Sequence, residues 1–294
     1  MNRPRAGQRR PPWLKVRAGG GPQYVKVLKR LRREGLHTVC ESARCPNLGE
    51  CWGCGTATFM IMGDHCTRNC RFCAVTHGAP LPLDNREPEA VAGSIHAFGL
   101  RYAVITSVTR DDLPDGGAAH FAAVISAIRT IASDCRIEVL VPDFQGSESA
   151  YLRLLESPPD VLNHNIETVP RLYPHVRPEA AYDRSIQLLQ WFASRNLITK
   201  SGIMVGLGET EAELTAVMVD LVNAGCDILT IGQYLQPSRD HLPVERFIPP
   251  EEFDRYRRIG LDVGFTSVVA GPLVRSSYRA EDAYQAVRDT LDGE

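Results

Sequence analysis

Two groups of three cysteines are the residues whose type and spacing most clearly indicate chemistry. The groups have the spacings C-x4-C-x5-C and C-x3-C-x2-C, and they comprise Cys40, Cys45 and Cys51, then Cys66, Cys70 and Cys73. Thiolates are soft ligands that select zinc, copper(I) or iron–sulfur clusters. A disulfide framework would spread its cysteines along a short secreted chain. The crowding between positions 40 and 73 therefore favours metal binding in a reducing compartment.

Three thiolates are one too few for a closed tetrahedral site. A [4Fe–4S] cluster tied to the protein by three cysteines would keep its fourth iron open for a small ligand, much as a catalytic zinc keeps an open position. The alternative is a structural zinc site that uses His65 or His77 as the fourth ligand. Cys135 and Cys226 lie within or beside apolar segments, so we expect them to be small buried hydrophobic residues.

Strand-like and helix-like segments alternate after the cysteines. The strand-like runs are rich in Val, Ile and Thr and nearly all apolar, as expected for parallel strands buried on both faces. They cover 57–62, 102–108, 136–142, 161–167, 198–206 and 227–233. Apolar residues at steps of three and four predict helices over 118–132, 182–193 and 211–224. Thr210 and Glu213 form a capping-box pattern at the start of the last helix.

This rhythm predicts an α/β protein, a partial (β/α)6 barrel of the TIM type that is open rather than closed. Only one further strand-like run is found, at 265–270, so a full eight-unit barrel is not expected. Such folds place their chemistry at the carboxyl ends of the strands, and Cys66 follows the first strand. We expect an N-terminal extension (1–55) with the first cysteine group, the barrel (56–264), and a C-terminal segment (265–294) closing over that group.

The charge is unevenly distributed along an otherwise ordinary globular composition. Residues 1–33 carry eleven Lys or Arg and no acidic residue. Because the net charge of the whole chain is −2, residues 34–294 carry a net charge of −13. No apolar stretch follows Arg9 and Arg10, which argues against a twin-arginine signal. We interpret the segment as a basic arm, either a solvated tail or a docking arm for an acidic partner. We expect a cytoplasmic protein with neither nucleic acid nor membrane as a partner.

The second cysteine group carries a family resemblance. The C-x3-C-x2-C spacing with an aromatic residue, Phe72, before the last cysteine resembles the radical S-adenosylmethionine superfamily. The resemblance implies that the open iron binds the amino and carboxylate groups of S-adenosylmethionine. One electron, from a donor such as flavodoxin or ferredoxin, then releases a 5′-deoxyadenosyl radical.

The first cysteine group narrows the resemblance. The segment 38–73, TVCESARCPNLGECWGCGTATFMIMGDHCTRNCRFC, resembles the lipoyl synthases, and further blocks follow in the family's order. These blocks are 106–121, 162–169, 201–210, 233–238 and 271–280. Cys54 stands where the family generally has Gly and His65 where it generally has Thr. Cys54 is either a tolerated small residue or a competing cluster ligand.

Membership of the lipoyl synthases would imply a sulfurtransferase. It would insert sulfur at C6 and C8 of an octanoyl chain linked to a lysine of a lipoyl carrier domain of 2-oxoacid dehydrogenase complexes, or of glycine cleavage H protein. Those C–H bonds are unactivated, so a radical is required. A second [4Fe–4S] cluster, on the first cysteine group, would donate sulfur. Ser277 of the RSSY motif would hold its fourth iron, with Arg275 and Tyr278 ordering the motif.

The S-adenosylmethionine contacts are expected at strand ends. Thr106 and Ser107 would receive the methionine amino group, and Asn165 and Glu167 the ribose hydroxyls, unless these residues merely cap the strands. Two rival functions stay open at this point. One is an electron carrier with two clusters, and the other is a different sulfur-inserting radical enzyme, such as a biotin synthase or a methylthiotransferase.

Overall fold

The computed structural model describes residues 10–16, 19–53 and 57–293, and these divide into two compact units. The first unit contains the described residues of 16–69 and 74–160. The second contains 10–15, Cys70–Cys73 and 161–293. None of the described helices combines the length and apolarity needed to cross a lipid bilayer.

The described residues of the first unit form six strands and six α-helices. The strands are β1 (His37–Thr38), β2 (Thr58–Ile61), β3 (His65–Cys66), β4 (Thr76–His77), β5 (Tyr102–Ser107) and β6 (Arg136–Leu140). The helices are α1 (Pro22–Glu34), α2 (Val39–Ser42), α3 (Leu48–Gly53), α4 (Glu87–Phe98), α5 (Ala118–Ile131) and α6 (Glu148–Leu154). A 3-10 turn covers Phe144–Gly146.

Parallel pairing joins the main strands of the first unit. Strand β5 lies between β2 and β6 and is parallel to both, while β1 pairs antiparallel with β2. Phe59 faces Ile105 in this register, and Ile105 faces Val139, all three fully buried. Burying each such side chain contributes roughly 1.5–3 kcal/mol, so the apolar runs seen in the sequence become the core that aligns the strand ends.

The second unit contains the remaining strands and helices. The strands are β7 (Val161–Asn163), β8 (Ile198–Val205), β9 (Ile228–Gln233) and β10 (Ser267–Gly271). The helices are α7 (Tyr173–Val176), α8 (Tyr182–Ala193), α9 (Glu211–Asn223), α10 (Pro250–Val263) and α11 (Ala280–Asp292), with 3-10 turns at Pro12–Leu14 and Pro170–Leu172. The four strands pair in parallel in chain order.

The predicted elements are all present. The six strand-like runs form β2 and β5–β9, and the three predicted helices are α5, α8 and α9. The capping box of α9 is complete, because Thr210 Oγ1 accepts from the Glu213 N–H and the Glu213 carboxylate accepts from the Thr210 N–H. The run at 265–270 forms β10, which adds a parallel strand beside β9, so the C-terminal segment takes part in the sheet of the second unit.

One sequence interpretation needs correction. The basic segment is not a plain tail, since α1 covers Pro22–Glu34, with a left-handed Gly35 at its C-cap and Val27 and Leu31 fully buried. Its cations from Lys26 onward are therefore presented on a folded helix. Residues 1–9 of the segment lie outside the described part of the chain.

Candidate cluster and cofactor sites

The first half of the C-x3-C-x2-C loop is bound to the segment that follows β5. Cys66 ends β3, and its Sγ accepts a hydrogen bond from the Thr109 N–H at 3.3 Å. Thr67 Oγ1 donates to the Thr109 carbonyl at 3.0 Å and accepts from the Asp111 N–H at 3.1 Å. An N–H aimed at a cysteine sulfur is one means by which proteins tune iron–sulfur clusters.

A buried ion network anchors the same loop. Arg68 Nε lies 2.6 Å from one carboxylate oxygen of Asp111, and its Nη2 lies 2.6 Å from Asp143, whose side chain is fully buried. Desolvation acts to lower the pKa of Arg68, but the hydrogen bonds and charges of the two aspartates outweigh it and raise that pKa. Arg68 thus stays charged, and sequence reasoning missed it because its partners are remote in the chain.

The second half of the loop belongs to the second unit. The Cys73 N–H donates to the Cys70 carbonyl at 3.0 Å, and the Arg71 N–H donates to the Val176 carbonyl. His241 Nε2 donates to the Cys73 carbonyl at 2.8 Å, which leaves Nδ1 to accept from Ser238. Phe72, the aromatic residue of the motif, is half-buried between these anchored positions.

Short capped helices hold the first cysteine group. Cys40 lies in α2, where the Thr38 side chain caps the Glu41 N–H. The Cys45 N–H donates to the Cys40 carbonyl at 2.9 Å, and Cys51 lies in α3. Burial raises the pKa of the Cys40 thiol to about 11. The thiol is therefore protonated near neutral pH until a metal displaces its proton.

The thiols of the two cysteine groups are the donor type that suits iron–sulfur clusters. In the described residues, however, they do not point at a common centre. None of the eight described cysteines forms a disulfide, and Cys135 and Cys226 are buried as expected. Among the described residues, no three His, Cys, Asp or Glu side chains come close enough to hold a metal ion as they stand. The assignment of the six cysteines of the two groups as cluster ligands stays a prediction. Cys54 lies outside the described residues, and His65 Nδ1 lies 2.7 Å from Asp64 in an exposed pair.

The end of β5 offers one unused polar group. Thr106 is buried, and its hydroxyl donates to the Leu140 carbonyl at 3.0 Å, so that donor already serves the sheet. The next residue, Ser107, has a buried Oγ with no hydrogen-bond partner among the described residues. Buried polar atoms without partners are rare. The Ser107 hydroxyl therefore fits a site that a polar ligand completes.

Asn165 and Glu167 lie together beyond the end of β7. Asn165 Nδ2 donates to Glu167 Oε1 at 3.1 Å, and Glu167 has a φ of 64°, a strained backbone for a non-glycine residue. Desolvation raises the pKa of Glu167, while Arg177, Asn165 and Arg275 act to lower it. A Cβ at Gly202 would lie 2.7 Å from Asn165 Oδ1, so only glycine there leaves room for the amide.

The RSSY motif is joined to these residues through its first serine. Ser276 Oγ accepts from Asn163 Nδ2 at 2.7 Å and donates to Asn165 Oδ1 at 2.9 Å. The motif also approaches the end of β9 closely, because a Cβ at Gly232 would clash with the Val274 carbonyl. Arg275 donates to that same carbonyl at 2.6 Å. Sequence reasoning selected Ser277 and did not find the link through Ser276.

Comparison with known proteins defines the class first. The sequence model that describes the Radical SAM superfamily matches residues 60–221, more than half of the chain. Two solved structures share the fold: HydG, a maturase of the [FeFe]-hydrogenase, and Streptococcus suis SuiB bound to precursor peptide SuiA. HydG has a TM-score of 0.57 at 14% identity, covering 90% of this chain and 66% of HydG. SuiB has a TM-score of 0.56 at 10% identity, covering 84% of this chain and 52% of SuiB.

The predicted fold class, the α/β fold of radical S-adenosylmethionine enzymes with a mostly parallel sheet, is thereby confirmed. The N-terminal domain model of lipoyl synthase of the radical SAM family matches residues 2–45. The lipoyl synthases of Thioalkalivibrio sulfidiphilus and Rubrobacter xylanophilus are 57% and 54% identical to this chain. Each alignment covers 95% of this chain and 88% of the relative. The chain belongs to the lipoyl synthase family.

Proposed function

We propose that this enzyme converts protein-bound octanoyl-lysine to lipoyl-lysine by inserting sulfur at C6 and C8. The observation that carries the proposal is the high identity with curated lipoyl synthases over nearly the whole chain, including the segment with the first cysteine group. An electron carrier of the ferredoxin kind is not favoured, because the Radical SAM match extends over α/β units that such a carrier does not need.

Cys66, Cys70 and Cys73 are the proposed ligands of the cluster that works with S-adenosylmethionine, with Phe72 beside the last of them. When bound, these two cofactors supply a 5′-deoxyadenosyl radical that can attack unactivated C–H bonds. The protein supports the loop through the Thr109 N–H on the Cys66 sulfur and the Arg68 network. Both features fix the Cys66 half of the loop to the segments that follow β5 and β6.

Different parts of S-adenosylmethionine are proposed to contact different side chains. Glu167 and Asn165 offer a carboxylate and an amide, which suit adjacent ribose hydroxyls. The unpartnered Ser107 hydroxyl suits the polar end of the methionine portion. Thr106, whose donor the Leu140 carbonyl uses, would contribute only as an acceptor.

A second cluster would supply the sulfur atoms, and its proposed ligands are Cys40, Cys45 and Cys51. The proposed fourth ligand is Ser277. Serine oxygen is a hard ligand, poorly matched to iron–sulfur chemistry, so it can be released more easily than a thiolate. Arg275 and Tyr278 would order the motif, since the Tyr278 N–H donates to the Arg275 carbonyl at 2.9 Å. Ser276 would fix the motif to Asn163 and Asn165.

The proposed parts of the chain follow these roles: 1–55 for the second cluster, 56–264 for the radical chemistry, and 265–294 for the RSSY motif. The proposed substrates are octanoylated lipoyl domains of 2-oxoacid dehydrogenase complexes or glycine cleavage H protein. A low-potential donor such as flavodoxin or ferredoxin would provide the electrons, in the cytoplasm.

An isotope experiment tests the proposal. The clusters are assembled anaerobically with isotope-labelled sulfide, the free sulfide is removed, and S-adenosylmethionine, reductant and octanoylated carrier are added. Mass spectrometry should show two labelled sulfur atoms in the product, together with released 5′-deoxyadenosine. An unlabelled product would contradict the sulfur source, and the absence of 5′-deoxyadenosine would leave only the electron carrier. Sulfur gained by another acceptor instead would favour a different sulfur-inserting enzyme.

A further inference from the structure

Helix α1 presents a row of cations along one side. Lys26, Lys29, Arg30 and Arg33 follow the spacing i, i+3, i+4 and i+7, which places them on one face of a helix. Like charges at these spacings repel and work against helix formation. The helix therefore depends on its packing, and the row of cations needs an explanation other than stability.

The charges are only partly neutralised. Arg30 and Arg33 share one carboxylate, Glu34, at 3.5 and 3.0 Å, and Arg30 also donates to Ser94. Lys26 and Lys29 are exposed, and within the described part of the chain neither has an ion pair or a hydrogen bond. One carboxylate for four cations leaves a strongly positive surface.

The cations border a groove between α1 and the C-terminal end of α4. The groove has a volume of about 600 Å³ and includes the apolar residues Val25, Ala97 and Phe98. Val25 is 43% exposed, so it adds apolar contact area beside the cations. None of the described residues that line the groove is acidic. Its surface thus combines a basic rim with apolar contact area, and we call it the basic groove.

The opposite side of α1 is anchored on the first cysteine segment. The Tyr24 ring packs against Trp52 with their centroids 5.1 Å apart, and Trp52 directly follows Cys51. Trp52, Val27 and Leu31 are fully buried. A protein held in the basic groove would therefore be one helix away from the segment that carries the proposed ligands of the second cluster.

We propose that the basic groove docks an acidic surface of the octanoylated carrier protein, an inference that rests on the proposed function. Only the octanoyl-lysine side chain has to reach the reaction centre, so the body of the carrier must lie on the enzyme's surface. An unneutralised row of cations selects a partner with the opposite charge. Such attraction speeds association and weakens as ionic strength rises.

Charge reversal of Lys26 and Lys29 tests the inference in the full-length, reconstituted enzyme. The variant is Lys26→Glu/Lys29→Glu, and the matched control is Arg257→Glu/Arg258→Glu on the exposed side of α10, which changes the net charge equally. We measure kcat and KM with intact octanoylated carrier protein and with a short octanoyl-lysine peptide, at low and high salt. For the carrier at low salt we expect kcat/KM to fall about tenfold, mainly through KM. High salt should shrink the difference, and the peptide should react normally.

Three results would overturn the inference. One is an unchanged kcat/KM for the carrier, the second is an equal loss in the control, and the third is an equal loss with the peptide. Tight binding of wild-type enzyme to anionic lipid vesicles or single-stranded RNA, abolished by the variant while carrier kinetics stay normal, would assign the groove to that ligand instead. If wild type modifies neither substrate, the proposed function fails. Calorimetric binding of the carrier to wild type and variant would still decide whether the groove docks it.

Discussion

The segments around Cys40 and around Cys66, both in the first unit, are supported in different ways. Around Cys66, the supports are non-local: an N–H on the sulfur and a buried arginine held by two aspartates. Around Cys40, the backbone supports are local: the four-residue helix α2, its Thr38 cap and a backbone bond from Cys45. Thr58 adds hydrogen bonds to the Cys40 sulfur. A buried network of ion pairs makes a segment rigid, whereas short capped helices open at low cost.

This difference matches the two proposed roles. A site that fires a radical in every turnover benefits from ligands that keep one geometry. A site that gives up its sulfur must come apart and be rebuilt, so a segment whose backbone is held mainly by a cap and local bonds is suitable. The comparison therefore predicts that damage to each support will affect one site and spare the other.

The largest effect is expected for Asp143→Ala. Among the described residues, the substitution would leave buried Arg68 with Asp111 alone as its counter-charge. Removing one partner of a buried ion pair typically costs about 3–5 kcal/mol. Urea unfolding of the apoprotein should show this loss. After reconstitution, the 5′-deoxyadenosine yield should fall sharply.

The double variant Arg68→Met/Asp143→Leu is the control for Asp143→Ala, since an apolar replacement of a buried pair can be nearly neutral for stability. It should recover most of the unfolding free energy but not the geometry of the loop. An Asp143→Ala protein with wild-type stability and wild-type 5′-deoxyadenosine yield would show that the network does not support the loop.

Ser276→Ala tests whether the RSSY motif supports the proposed second cluster without supporting the first. The substitution removes a hydrogen bond to each of Asn163 and Asn165, and losing partners for buried polar groups costs about 1–3 kcal/mol. We expect 5′-deoxyadenosine formation to continue while lipoyl product falls, with altered Mössbauer signals for one cluster only.

Ser277→Ala provides the comparison for Ser276→Ala. It removes the proposed ligand itself, so it should lose most lipoyl product and still release 5′-deoxyadenosine. Ser276→Thr keeps a hydroxyl and should restore part of the product. If Ser276→Ala yields full product, the first serine does not position the motif.

The fold was largely predictable because its signals are local. Near-continuous apolar runs predict parallel strands, and the periods of α5, α8 and α9 predict helices. Helix α4 was missed because its buried face includes Glu87, whose carboxylate meets His120 at 2.7 Å and accepts from the Met62 N–H. A charged residue on a buried face hides a helix from any pattern of hydrophobicity.

The residues of the candidate site could be predicted only where residue type and spacing along the chain are enough to indicate their role. The cysteines satisfy that condition. Arg68 and Ser276 do not, because each gains its role from partners 43 to 113 positions away. The Thr106 hydroxyl shows the converse, since its residue type suits a ligand while the structure commits its donor to Leu140.

Ser107→Ala should change binding without weakening the fold. Its Oγ is buried and has no partner among the described residues, so removing it removes an unsatisfied polar group. Thermal unfolding of the apoprotein should occur at the same temperature or slightly higher. S-adenosylmethionine affinity, measured by equilibrium dialysis, should fall about tenfold, as for the loss of one hydrogen bond to a charged group. A variant that binds as tightly as wild type would remove Ser107 from the proposed pocket.

The smallest effect is expected for Thr38→Ala, and it tests the local side of the comparison. Loss of an N-cap typically costs about 1 kcal/mol, and in a four-residue helix that loss falls directly on Cys40. Global stability should change little. A chelator should remove iron from one cluster several-fold faster than in wild type, and from the other at the wild-type rate. Thr38→Ser keeps the capping oxygen and should behave as wild type. Equal acceleration at both clusters would mean that their supports are coupled, and the distinction between a rigid and a dismountable site would fail.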